Sequence, residues 1–100
     1  MKTINVRAFK VVFPNGKIAF VTKCDDSRGS WGCDSVRSLA MNAKSDVERF
    51  FRENQGDMVQ ASIDLKPYHD IECPTGVAPQ RCLPLTDDEA SEFWDQFNAS

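Results

Sequence analysis

The sequence predicts an α+β fold of order β-β-α-β-α, in which a small antiparallel sheet of about three strands packs against two or three helices. Three observations point there. Residues 3–13 and 58–66 alternate apolar and polar side chains with the period of a strand. Residues 36–54 carry apolar side chains at the three-to-four spacing of one helical face, and residues 85–97 repeat that pattern behind a helix-start signal. Turn residues separate these segments. The 100 residues suit one domain, 1–100, because single domains typically run to roughly 100–150 residues.

The first strand places Ile4, Val6 and Ala8 on one parity and Phe9, Val11 and Phe13 on the other. Strict alternation forbids such a change within one face, so a bulge or a crossing between faces is expected near Phe9-Lys10. Pro14 presets φ for a turn and Asn15-Gly16 tolerates positive φ, so a second strand should return from Lys17 to about Cys24. The polar stretch CDDSRGSWGC, residues 24–33, has no periodicity and contains Gly29 and Gly32; it reads as a loop.

Val36, Leu39, Ala40, Ala43, Val47, Phe50 and Phe51 then form a helical stripe that ends by Gly56. Ser45 with Glu48 makes a capping-box pair inside the stripe, leaving one long helix or two short ones open. Val59, Ala61, Ile63 and Leu65 share one face of a third strand, half-buried in an antiparallel sheet and closed by Pro67. Residues 69–85 hold Pro74, Gly76, Pro79 and Pro84 and read as a long irregular connection. Thr86 and Glu89 form a second capping box, with Leu85 and Ala90 placed as a hydrophobic staple. Ala90, Phe93, Trp94 and Phe97 face the core of this last, acidic helix. Val47, Phe50, Phe51, Ile63, Phe93 and Trp94 are the expected core.

Composition excludes several classes. With 41% hydrophobic and 27% charged residues the chain is neither disordered nor fibrous. The longest apolar run, Ile18-Ala19-Phe20-Val21, falls far short of the roughly 20 residues of a membrane span, and the N-terminus lacks the pattern of a secretory signal. A cytoplasmic location and no membrane partner are therefore expected. Charge is asymmetric: residues 1–54 hold ten Lys/Arg against six Asp/Glu, a net +4, whereas residues 55–100 hold two against nine, a net −7. Such asymmetry bears on association and steering.

Cys24, Cys33, Cys73 and Cys82 fall in two pairs, each with eight intervening residues, and His69 precedes Cys73 by four positions. Zinc sites usually draw two ligands from a turn with two to four intervening residues, which orients both sulfurs; this spacing lacks that local geometry. No metal is expected, and free thiols are the plainer reading in a reducing compartment. A domain held by metal on these four cysteines, with a regulatory or nucleic-acid-binding role, is the alternative. A Cys73–His69 catalytic pair would sit in a Pro-rich loop with no helix N-terminus to lower the thiol pKa. Tyr68 beside it reads as loop packing. The acidic clusters Asp25-Asp26, Asp70/Glu72 and Asp87-Asp88-Glu89 lack partners that would make them acid/base or magnesium sites, and the last is explained by the helix dipole. No phosphate loop or dinucleotide fingerprint is present. No enzyme activity and no cofactor are expected.

Lys10, Lys17, Lys23 and Arg28 border the hairpin, but a pI near 5.0 argues against direct nucleic-acid binding. On the last helix Asp87, Asp88, Glu92 and Asp95 have no packing or capping duty, so they and the hairpin cations are the candidate partner-binding residues. The irregular loops around Trp31 and Val77 come next. In size, charge and architecture the chain resembles small phage and mobile-element proteins that inhibit host machinery, anti-CRISPR proteins among them. The resemblance covers those general features and transfers no residue. It implies a stoichiometric inhibitor, monomeric or a small homo-oligomer, that docks on a host protein or ribonucleoprotein complex without catalysis.

Overall fold

The computed structural model describes residues 2–24, 30–65 and 81–99. Among these described residues seven elements follow in order: β1 (Lys2–Val12), β2 (Ile18–Cys24), β3 (Ser30–Cys33), α1 (Val36–Glu53), β4 (Val59–Asp64), β5 (Arg81–Leu83) and α2 (Asp87–Asn98). The fold is α+β, but the sheet is larger than its sequence suggests and mixed in direction.

β1 is the hub. Along one edge it pairs antiparallel with β2, from Val6↔Cys24 to Val12↔Ile18. The hairpin turn closes where Gly16 donates its amide to Phe13 (2.9 Å) with φ +85, and the Asn15 side chain accepts from the Lys17 amide at 3.0 Å. Only a residue free of a Cβ takes that φ without cost, and Asn15-Gly16 supplies it. The register does not slip, so of the two expectations near Phe9-Lys10, a bulge or a crossing between faces, the bulge is absent. The parity change arises because β1 is buried on both faces. Ile4, Val6 and Ala8 lie in the main core with the helices, while Phe9 and Val11 join Val21 in a second buried cluster flanked by Phe13 and Cys82.

β3 occupies part of the stretch expected to be a loop. Four residues pair with β2, from Phe20↔Cys33 to Lys23↔Ser30, which is too short a run to show alternation in sequence. The rest of that stretch, residues 25–29, lies outside the described residues. β5 likewise corrects the irregular reading of 69–85 at its last part: three residues pair antiparallel with β1, from Lys10↔Leu83 to Val12↔Arg81, while residues 69–80 lie outside the described residues.

α1 is one helix. The Ser35 hydroxyl caps it by accepting the Ser38 amide at 3.1 Å. No new start occurs at Ser45, because the stripe Val36, Leu39, Ala40, Ala43 and Val47 packs unbroken on the sheet, and burial outweighs a local capping preference. At the far end the Asn54 amide reaches back to Phe50 and Phe51, and Gly56 turns the chain with φ +93. The helix delivers the chain to the start of β1, where the Lys2 ammonium meets Asp57 at 3.1 Å and Asn54 at 3.1 Å. β4 therefore enters parallel to β1, from Lys2↔Val59 to Arg7↔Asp64, and not antiparallel as the alternation suggested. Alternation records which face is buried and is silent on strand direction.

α2 begins at the expected capping box. Thr86 accepts the Glu89 amide at 3.2 Å, and the Glu89 carboxylate accepts the Thr86 amide at 2.8 Å. Buried Leu85 precedes it and Phe93 is fully enclosed. Of the expected core, Val47 and Phe93 are buried, Phe50 and Ile63 are half-buried against the main cluster, and Phe51 and Trp94 are 40% and 37% exposed. Those last two sit at the margins of their helical stripes, where the facing layer ends. No helix among the described residues is long and apolar enough to cross a membrane.

Candidate functional site

The candidate surface is built on α2. At about 100° per residue, Asp87, Asp95, Asp88 and Glu92 fall in that order around an arc of about 140°. All four are exposed, and none makes an ion pair among the described residues. Glu89 lies on another side and is used by the fold: besides its capping role, it meets the Lys10 ammonium at 2.9 Å, with both side chains largely covered. Partial burial pushes the Glu89 carboxyl up, but the bonds from Thr86 and the Lys10 ammonium outweigh it and hold the group below its ordinary value.

Trp94 flanks the acidic arc, beside Asp87 and Ser91 on the helix surface. Its ring stands edge-on to Phe93 (centroids 5.1 Å) and to Phe97 (5.5 Å), while Phe93 and Phe97 stack at 5.9 Å. The indole is thus held by two aromatic neighbours yet keeps over a third of its surface open. Sequence periodicity placed Trp94 among the mostly buried core residues. The signal that part of its ring stays at the surface was its edge position in the stripe, next to the acidic arc.

The hairpin cations do not assemble into a comparable surface. Lys10 shares the helix-covered face with Phe20, where it is consumed by Glu89, whereas Lys23, opposite Arg7, is on the other face. Lys17 is exposed in the hairpin turn, and Arg28 lies outside the described residues. Strand alternation sends Lys10 and Lys23 apart.

The cysteines are similarly divided. Cys24, opposite Val6, and Cys33, opposite Phe20, belong to the helix-covered side, whereas Cys82, opposite Val11, belongs to the second cluster. Cys24 and Cys33 carry free thiols and Cys82 is disulfide-bonded. The three sulfurs do not converge, and no cluster of three or more metal-ligating side chains occurs among the described residues. Burial pushes the Cys33 thiol above its ordinary value, with a backbone contact at Ser35 opposing and Asp34 adding to the rise. Cys73, Tyr68, His69, Asp70, Glu72, Asp25 and Asp26, like Val77, lie outside the described residues.

One buried polar pair escaped the sequence reading. Asp46, 4% exposed, accepts the Cys24 thiol at 3.2 Å and meets the Arg49 guanidinium at 3.4 Å. Its signal was positional: Leu39, Ala43, Asp46 and Phe50 keep the stripe's spacing, so a carboxylate stands where an apolar residue belongs. On the same side of the sheet the Thr22 hydroxyl is buried with no hydrogen-bond partner among the described residues.

Comparison of the chain with family models, curated proteins and solved structures finds no match.

Proposed function

We propose that the protein is a non-catalytic interaction module, a stoichiometric inhibitor of the anti-CRISPR-like kind, which docks on a basic surface of a host protein or ribonucleoprotein complex through α2. The observation that carries this reading is the set of four exposed carboxylates on one arc of a capped helix, none of them packed in the core or used as a cap, with Trp94 beside them. Interface cores favour aromatic anchors such as Trp, and a charged rim steers encounter. The hairpin is the weaker half of the original pair of candidates, since Lys10 is already committed to Glu89.

The test compares two folded variants with the wild type. In the first, Asp87, Asp88, Glu92 and Asp95 are all changed to Lys; in the second, Lys17→Glu is combined with Lys23→Glu. Partner capture from the native host is quantified by mass spectrometry at two salt concentrations, followed by association kinetics on the captured partner. The expected result is a fall of at least tenfold in association rate for the α2 variant, with the wild-type rate falling as salt rises. An α2 variant that captures and inhibits like the wild type overturns the proposal.

A further inference from the structure

β4 ends the sheet on one side: it pairs with β1, and no strand among the described residues takes its other edge. The direction of its backbone groups follows from the register. Lys2 stands opposite Val59 and donates its amide to the Met58 carbonyl at 2.9 Å. In a parallel ladder such a residue bonds both neighbours of its partner, here Met58 and Gln60, and the pattern repeats at every second residue. Gln60, Ser62 and Asp64 therefore turn their backbone groups to β1, while Val59, Ala61 and Ile63 turn their N–H and C=O groups outward. The side chains of Ala61 and Ile63 lie on the helix side next to Ile4 and Val6, yet they are only half-buried where Ile4 and Val6 are 1% and 0% exposed. Gln60 and Ser62 are exposed on the opposite face. Edge strands are commonly guarded by a charge, a proline or a bulge, and residues 59–63, VQASI in an unbroken register, have none of these.

We propose that the outer edge of β4 pairs with the same edge of a second copy of this chain, antiparallel about a two-fold axis at Ala61, so that two sheets become one. The register is the one that uses every outward group: Val59 faces Ile63 of the second copy, Ala61 faces Ala61, and Ile63 faces Val59, each pair exchanging two hydrogen bonds. Charge favours a second copy as the occupant. Asp64 falls opposite Met58 and Asp57 opposite Leu65, so no carboxylate meets another, and Asp57 is already paired with Lys2. The edge between them is uncharged and offers nothing for a basic or acidic foreign strand to read. On the helix side the half-buried Ala61 and Ile63 of the two copies meet and cover one another; on the other face Gln60 stands opposite Ser62. Five residues a side make a small interface, so the dimer is weak and reversible. The axis is perpendicular to the sheet, which leaves both pairs of helices on one side. The pairing does not rest on the docking function of α2.

Sedimentation equilibrium of the full chain over a hundredfold dilution, with amide exchange read residue by residue by NMR at both ends of the range, tests the proposal. The mass should fall from two chains towards one on dilution. The amides of Val59, Ala61 and Ile63 should then exchange at least tenfold faster, while those of Gln60, Ser62 and Asp64, bonded to β1, keep their protection. Charge at the two exposed positions tests the register. Gln60→Lys with Ser62→Lys sets lysine against lysine across the axis and should abolish the dimer; Gln60→Lys with Ser62→Glu sets opposite charges there and should restore it. A chain that stays monomeric throughout, odd-numbered amides whose protection survives dilution, or a Lys/Lys variant that dimerises like the wild type overturns the pairing. If a variant fails to fold, the dilution series on the wild type decides between the same outcomes. No other protein enters the measurement, so failure of the docking reading leaves it unchanged.

Discussion

Truncation of Phe93 is the sharpest probe of how α2 is attached. Its ring is 0% exposed, the only residue of α2 so enclosed, and it lies in the main cluster with Leu39, Ala40 and Ala43 of α1 and Ile4 and Val6 of β1. A phenyl side chain buries roughly 150–250 Å², which at about 25 cal/mol per Å² corresponds to about 4–6 kcal/mol. Alanine keeps part of that area and the denatured chain already hides some, so Phe93→Ala should cost about 3–4 kcal/mol. In a domain of this size each kcal/mol moves the melting temperature by roughly 4–8 °C, giving a fall of at least about 12 °C. Phe51→Ala is the control: the residue is 40% exposed, and the same reasoning gives an expected cost of about 2 kcal/mol. Urea and thermal unfolding followed by circular dichroism, with Cys82 kept oxidised, supply the free-energy costs and the melting shifts of both variants. A shift below about 5 °C for Phe93→Ala, or equal costs for the two variants, would refute the packing of α2 through this side chain.

Two further outcomes concern buried charge. Asp46→Ala strips the acceptor from the Cys24 thiol and the partner from Arg49, and should cost about 2 kcal/mol; in a Cys24→Ala background the same change should cost less, and strict additivity in the double-mutant cycle would argue that the thiol contact contributes nothing. Glu89 is held below its ordinary value in the folded protein, so its contribution to stability is complete above the unfolded value and is lost as pH falls through the folded one. Wild type and Glu89→Gln should therefore differ in urea midpoint at neutral pH and converge in the acid range, whereas a constant gap would mean that the charge of Glu89 does not stabilise the fold.

Local chemistry carries the parts of this fold that are readable in one dimension. The Asn15-Gly16 turn, the Thr86/Glu89 capping box and the apolar stripe of α1 each depend on residues within a few positions of one another, and each occurs where its residues stand. The acidic arc was legible for the same reason, since helical spacing alone places Asp87, Asp88, Glu92 and Asp95 away from the core stripe.

Pairing and covering depend on segments far apart in the chain, and there the tertiary structure decides. β3 and β5 exist because β2 and β1 offer them unpaired edges, and runs of four and three residues carry no period of their own. The direction of β4 depends on where α1 sets down the chain, and the burial of Phe9 and Val11 depends on a second cluster that no local pattern announces. Lys10 looked like a free surface cation until the fold brought Glu89 to it across 79 positions of sequence, and Trp94 looked like core until its helix reached the edge of its covering layer. In each case the deciding quantity is the neighbour supplied by another part of the chain, and side-chain spacing within one segment contains no record of that neighbour.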